Sequence, residues 1–447
     1  MKSILRFIKS IFFKNRFFGA GALLAILFVM GFYVPFLYYA GLFLLILFAL
    51  LTLVDLFVLY RPKQPLEIRR IMTEKLSNGD ENPVELYLTS RYAFRTDIDV
   101  IDEIPHQFQK RDVRFELTAE PGGTRVIQYK LRPVKRGEYG FGAVNAYVSS
   151  PLGLIARRIR IEAEKTVPVY PSFIQMRKYE FLAISNKLTM YGVKKIRRLG
   201  NNTEFEKIKD YVQGDDIRTI NWKATAKKNS LMVNQYIDER AQPVYNIIDM
   251  GRSMQMPFNG LSLLDYSINA SLVLSNTALH KFDKAGIVTF SHKTDAFLAA
   301  DRKTDQINKI MELLYKQQTG YLESNFEALY ITLRRRVNQR SLVLLYTNFE
   351  SLSSVRRQLP YLRKIAEKHL LCVILFVNTE LRALLDRPAD TAEKIYEKTV
   401  AEKFDFEKRQ IVKELAAYGI YSLLTEPEQL TVNTINRYLA FKAQGLI

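Results

Sequence analysis

Two long apolar runs open the chain, over residues 17 to about 33 and 36 to about 59. Each is near the ~20 residues that a membrane-spanning helix needs. Gly31 and Pro35 mark a short uncharged turn between them. Lys2, Arg6, Lys9, Lys14 and Arg16 precede the pair, and Arg61 and Lys63 follow it. Positive residues at both outer ends and none at the tip predict a hairpin with both ends in the cytoplasm. A small-residue cleavage site is missing and a second apolar run follows at once, so a cleaved signal peptide is not expected. Asp55 lies near the inner end of the second run. An acid there is a functional candidate, but its closeness to Arg61 predicts a structural acid snorkelling to the interface.

From residue 62 the pattern changes to short alternating segments broken by turn signals, among them Asn78-Gly79-Asp80 and Glu120-Pro121-Gly122-Gly123. Strands are predicted over 84–89, 98–101, 114–118, 125–131, 143–149 and 154–161. Such spacing predicts an all-β sandwich over 62–171. Gly137, Gly140 and Gly142 precede no helical pattern. They are read as turns and a bulge, not as a dinucleotide loop. Residues 172–242 read as a polar, basic connector. Its run Lys194, Lys195, Arg197 and Arg198 is a solvated face or a candidate anionic-surface site.

At Pro243 strand and helix begin to alternate. Strands are predicted over 244–248, 286–291, 342–346, 370–377 and 420–424, with an edge segment at 295–299. Helices are predicted over 263–280, 304–316, 325–336, 353–368, 391–418 and 427–442. The alternation implies an α/β domain over 243–447, a parallel sheet covered on both faces. Its first strand ends in Asp249-Met250-Gly251-Arg252-Ser253. Ligands of such sheets bind beyond the carboxyl ends of the strands, and an acid with a hydroxyl there can hold a hard cation.

Composition sharpens this outline at a few points. With 447 residues, 48% hydrophobic and 25% charged, the chain is expected to fold into two or three domains. Its net charge of +19 predicts an anionic partner: nucleic acid, an anionic membrane face or an acidic protein. The first sixty residues carry +4 of this, so most of the excess sits in the remainder. A domain hung below an anionic leaflet can turn part of that charge toward lipid. The single cysteine, Cys372, excludes an internal disulfide and fits a reducing compartment. His106, His280, His292 and His369 are scattered without metal-ligand spacing. No Ser-His-Asp set, Walker loop or paired carboxylates can be identified. The basic runs, including Arg334-Arg335-Arg336, lack the interleaved aromatics of nucleic-acid modules.

The stretch from Asp210 to Lys227 reads Asp-Tyr-x-x-Gly-Asp-Asp-x-Arg-x-Ile-x-Trp-Lys-x-x-Ala, through Asp210, Gly214, Asp215, Asp216, Arg218, Ile220, Trp222, Lys223 and Ala226. It resembles the hallmark of the bacterial domain of unknown function 58 family. The layout is similar too: a membrane hairpin over 1–61, a β-sandwich, the hallmark connector, then a doubly wound von Willebrand factor A-like domain. The resemblance implies a protein of the bacterial cytoplasmic (inner) membrane. It also implies partners, a MoxR-type AAA+ ATPase and sibling von Willebrand factor A proteins, but no established chemistry. In the hallmark, Asp215, Asp216 and Arg218 are expected to form an ion-pair knot with Trp222 packed below, or a docking surface.

Von Willebrand factor A domains often bind Mg2+ through Asp-x-Ser-x-Ser, a later Thr and a further Asp. Asp249, Ser253 and Ser324 match that pattern here. Gly251 lacks the first hydroxyl, and Asn348 is neutral where the last acid belongs. At an effective dielectric of ~20, a charge at ~4 Å is worth on the order of 4 kcal/mol. The site is therefore read as degenerate, with no cofactor expected and Asp249 accepting backbone N–H bonds. The leading expectation is a membrane-anchored scaffold or adaptor, not an enzyme, in a membrane-protein assembly or stress-response complex. The alternatives are a metal-dependent enzyme at the Asp249 crevice, or binding of anionic lipid or nucleic acid.

Overall fold

The computed structural model describes residues 2–110, 113–184, 204–212, 215, 217–237, 241–385 and 388–447. The chain divides into two compact units, Met1–Tyr170 and Pro171–Ile447.

The first unit carries, after a short helix Lys2–Lys9, two apolar helices, Asn15–Gly31 and Pro35–Tyr60. Pro35 starts the second at a position whose N–H would be unpaired in any case. The helices pack side by side. The Phe17 and Phe48 rings lie 5.1 Å apart, and a Cβ on Gly41 would meet Leu27 at 3.0 Å. Among the described residues, one helix, Pro35–Tyr60, is long and apolar enough to cross a membrane; Asn15–Gly31 is a shorter apolar helix.

The end of the second helix belongs to the β core. Leu56, Leu59 and Tyr60 pack against it. Asp55 is fully buried. It accepts hydrogen bonds from the Ser150 hydroxyl and from the N–H groups of Leu154 (3.1 Å) and Ile155 (2.9 Å). This corrects the expected snorkelling toward Arg61: a turn far along the sequence supplies the partners that a buried carboxylate requires. The same region holds the helix end a second time. Arg157 donates to the Leu59 carbonyl at 2.8 Å and lies 4.5 Å from the centre of the Tyr60 ring.

Three sheets make up the rest of this unit. A five-stranded antiparallel sheet runs in the order Ile11–Phe13, Ile155–Ile161, Val144–Ser149, Thr96–Asp102, Arg114–Ala119. Its first strand precedes the first apolar helix directly. A three-stranded sheet combines Leu66–Met72, Asn82–Ser90 and Thr124–Leu131. Strict alternation along Asn82–Ser90 turns Val84, Leu86 and Leu88 inward. Leu86 and Leu88 share one core with Ile98, Val100, Val144 and Val148 of the larger sheet. The third sheet joins Leu76–Ser77, Lys165–Tyr170 and Gly137–Phe141. Gly137–Phe141 is thus a strand and not the expected turns and bulge. Tyr139 and Phe141 bury on one face, which holds Gly140 between them in the ladder.

The second unit is built on a six-stranded sheet. Its strands are β1 (Pro243–Asp249), β2 (Lys284–Phe290), β3 (Thr294–Asp301), β4 (Leu342–Tyr346), β5 (Leu370–Phe376) and β6 (Tyr421–Thr425). The order is β3-β2-β1-β4-β5-β6, parallel except for the antiparallel edge strand β3. Both faces are covered, so the central strands are apolar along their whole length. One face packs on α1 (Leu263–His280), α2 (Gln306–Tyr315) and α7 (Leu430–Ala443). The other packs on α3 (Phe326–Arg336), α4 (Leu352–Lys368) and α6 (Ala392–Ala417). The short α5 (Thr379–Leu385) follows β5. Strand order reverses between β1 and β4, so the carboxyl end of β1 lies at the topological switch point.

The stretch expected to be a connector carries structure of its own. Helix Phe173–Ile184 lies on α1, with the Ser172 N–H donating to Asn269 Oδ1 at 2.9 Å and Glu180 within 3.2 Å of His280. Strands Glu204–Asp210 and Met232–Ile237 form an antiparallel hairpin. Between them, helix Trp222–Lys228 is capped by Asn221, whose side-chain oxygen accepts from the Ala224 N–H at 3.0 Å.

Candidate functional site: a closed carboxylate at the switch point

Asp249 is the last residue of β1, and it is buried. The register that sets Ile248 beside Tyr346 carries the chain on to place Thr347 next to it. Thr347 donates to Asp249 Oδ2 at 2.6 Å. The Gly251 N–H donates to Oδ1 at 2.8 Å, and so does the Ser324 hydroxyl. Burial pushes the Asp249 carboxyl above its ordinary range, against the pull of these three hydrogen bonds. Both oxygens are engaged by the chain's own donors.

Gly251 is fixed by this arrangement. A Cβ there would meet Ser324 Oγ at 2.0 Å and Asp249 Oδ1 at 3.0 Å. The Ser324 hydroxyl thus fills the space that a side chain at position 251 would occupy.

Asn348 faces the other way. Its Oδ1 accepts from Lys408 Nζ of α6 at 2.6 Å, and its Nδ2 donates to the Ser253 carbonyl at 3.4 Å. Lys408 also donates to the Phe349 carbonyl at 2.7 Å. Its ammonium, desolvated by the surrounding helix and loop, is lowered to about 8 although Glu350 pulls the other way. At the position of the pattern's last acid, this chain therefore holds an amide whose oxygen is tied to a fixed ammonium.

Asp249, Ser253, Ser324 and Asn348 do meet around one cleft of about 460 Å³. Glu323 crosses its rim between Arg252 (3.9 Å) and Arg357 (3.6 Å). Among the described residues, no three His, Cys, Asp or Glu side chains are grouped as metal ligands. Sequence reasoning missed Thr347 and Lys408. Strand register could have found Thr347. Lys408 lies inside a charged helix with no local signature.

The hallmark residues sit on the hairpin module. Asp215 pairs with Lys209 at 2.8 Å and accepts from the Val212 N–H at 3.0 Å. These contacts, the Lys209 hydrogen bond first, hold its carboxyl below the ordinary range. Asp210 accepts from the Ser230 hydroxyl at 3.2 Å and lies 3.9 Å from Lys228. Arg218 and Lys223 are exposed. Trp222 is 69% exposed, which corrects the expectation that it packs beneath a knot of charges. It opens a seven-residue helix, and its side chain turns outward with those of Val212 and Ile217. Gly214, Asp216, Lys194, Lys195, Arg197 and Arg198 lie outside the described residues.

Comparison with known proteins adds a family. Residues 207–384 match the sequence profile of the family described as "Protein of unknown function DUF58". The uncharacterized protein YeaD of Bacillus subtilis (strain 168) is 26% identical over 123 residues, 28% of this chain and 30% of that protein. The match thus spans under a third of the relative's length. Among solved structures, BatB from Bacteroides thetaiotaomicron is 12% identical, with a TM-score of 0.29 over 46% of this chain and 100% of that one. A PapD-like domain of human CEP192 is also 12% identical, with a TM-score of 0.19 over 24% of this chain and 87% of that one. The stretch of the chain that is similar to the DUF58 family, residues 207–384, takes in most of the hallmark module and the first five strands of the sheet.

Proposed function

We propose that this chain is a membrane-anchored adaptor that works by binding other proteins and performs no chemistry of its own. The observation that carries this reading is the closure of the switch-point carboxylate. Ser324, Thr347 and the Gly251 N–H take up Asp249, and Lys408 takes up Asn348. Mg2+ prefers octahedral oxygen ligands and nearby negative charge. The donors present do not fit a resident Mg2+: one carboxylate is saturated by internal hydrogen bonds, and the second acid is an amide facing an ammonium. The strand order and the antiparallel edge strand support a von Willebrand factor A-like reading of the sheet, with the ion site kept as turn geometry.

The anchor is the pair of apolar helices, inserted as a hairpin with both ends in the cytoplasm of a bacterial cell. The sequestering of Asp55 supports this. Residues 35–54, which precede it, measure about 30 Å at ~1.5 Å per residue, the thickness of a bilayer's hydrocarbon core. The exposed Val212, Ile217 and Trp222, bordered by Lys223, offer an apolar patch of the kind that partners cover. The partner we assign, from the family resemblance, is a MoxR-type AAA+ ATPase, with sibling von Willebrand factor A proteins.

Two measurements test this. Full-length chain in lipid nanodiscs, titrated calorimetrically with Mg2+ and Mn2+ to millimolar concentration, gives no saturable heat. A one-site isotherm lost in Asp249→Ala overturns the adaptor reading in favour of a metal-dependent site. Purified MoxR-type ATPase from the same organism binds the nanodiscs, and Trp222→Ala weakens that binding; a lack of association with the wild type removes the assigned partner.

A further inference from the structure

A second cavity, of about 290 Å³, adjoins the Asp249 cleft and shares Asn348 and Glu350 with it. It opens at the carboxyl end of β5, between α5 and α6. Its walls are mostly apolar, formed by Phe258, Leu263, Phe376, Leu381 and Phe404 among others. Its size is at the lower end of the range for small-molecule sites, and its place beside the switch point is where open α/β sheets bind ligands.

One cation in this wall, Lys408, keeps a donor that the described residues do not fill. Arg382 is paired with Glu426 at 3.1 Å, and Asp405 with Arg409 at 2.7 Å. Lys408 has the Asn348 and Phe349 carbonyl oxygens, which occupy two of an ammonium's three donors. The Glu350 carboxylate is near, but its attraction does not offset the burial that disfavours the charged amine. An apolar chamber with that cation in its wall is complementary to an anion carrying an apolar tail. A carboxylate at Lys408 would accept the ammonium's remaining N–H, and the tail would displace water from the aromatic and leucine walls.

We propose that this cavity is a ligand site for small apolar monocarboxylates, with the carboxylate on Lys408 Nζ and the tail against Phe258, Leu381 and Phe404. This does not depend on the adaptor reading, because it needs neither a partner protein nor an ion at Asp249. It gives the switch point a ligand that is held one residue beyond Thr347, through Asn348, which touches both chambers.

The probe is hexanoate, titrated calorimetrically into full-length chain in nanodiscs, with the heat of empty nanodiscs subtracted. The expected result is one saturable site. Lys408→Met, which keeps the unbranched apolar stem and removes the ammonium, weakens hexanoate at least tenfold. Hexanol binds the wild type at least tenfold more weakly than hexanoate and is indifferent to Lys408→Met. Leu381→Trp, which fills the chamber while leaving Lys408 in place, abolishes binding. Thermal melts confirm that each variant is folded, and the two variants fail independently. Absence of saturable heat up to about 10 mM would overturn the proposal. So would equal affinity for hexanoate and hexanol, or binding that survives in both folded variants.

Discussion

Replacing Asp55 by leucine sets two accounts of the second apolar helix directly against each other. If Asp55 belonged to the lipid-facing part of the helix, leucine would relieve an expensive carboxylate and the protein would gain stability. In the structure the carboxylate instead accepts from the backbone N–H groups of half-buried Leu154 and buried Ile155, and from the Ser150 hydroxyl. Leucine leaves both N–H groups without acceptors. An unpaired buried group costs roughly 1–3 kcal/mol, so buried Ile155 at the upper part of that range and half-buried Leu154 at its lower end together cost about 4 kcal/mol. The Ser150 hydroxyl can rotate toward another acceptor and is left out of this figure. Asparagine keeps one oxygen and is expected to lose about half as much. Hydrogen exchange of full-length protein, followed in peptides spanning residues 150–157, reads the effect at its source. A loss of about 4 kcal/mol corresponds to roughly a thousandfold faster exchange at Leu154 and Ile155. Unchanged protection, or a leucine variant that melts above the wild type, would refute the clasp and return Asp55 to the bilayer.

The fit of Gly251 against Ser324 predicts strong non-additivity. Gly251→Ala forces Ser324 off Asp249 and destabilises by roughly 2–4 kcal/mol, whereas Gly251→Ala combined with Ser324→Ala costs less than the sum of the singles, with coupling of about 0.5–3 kcal/mol in denaturant titrations. His369 is buried, its Nδ1 has no partner among the described residues, and burial first, then Lys368, lowers its pKa to about 4. Between about pH 6.5 and 4 the unfolded chain then binds the extra proton, so stability falls with falling pH by up to roughly 3 kcal/mol; His369→Phe flattens that part of the stability–pH curve, and an unchanged slope would discount the burial. Asp249 shifts the opposite way. The folded state holds its proton longer, so stability declines as pH rises through and above the ordinary carboxylate range, and Asp249→Asn removes that decline in urea midpoints measured from pH 4 upward.

The α/β unit was the most legible part of the sequence, because its signals are local. The helix Leu263–His280 and the strand Leu342–Tyr346 are read with the bounds they have, since a capping box at Ser262 and a closed apolar run mark their ends. Gly137–Phe141 was misread because glycine signals turns in sequence, whereas the inward Tyr139 and Phe141 decide the matter in space. Helix Phe173–Ile184 reads in sequence as part of a polar connector, and it is α1 that gives it a surface to lie on. At the candidate site the acid and the hydroxyls were legible by pattern. Thr347 depended on register, and Lys408 on a helix sixty residues away in sequence. Asp55 was placed in the right helix and given the wrong surroundings, because nothing near it in sequence announces Ser150.

That last separation sets a timetable for biosynthesis. Ser150 lies 95 positions after Asp55, and the strand Ile11–Phe13 waits even longer for its partner Ile155–Ile161. At ~5–20 residues per second, roughly 5–20 s pass after Asp55 is polymerised before its acceptor role can be filled. During that interval the nascent chain presents a bare carboxylate at the end of an apolar helix and an unpaired strand at the start of another. Whatever guides the helices to their destination has to hold both until the β fold arrives to cover them. Completion of the two apolar helices is thereby tied to a β fold encoded after them.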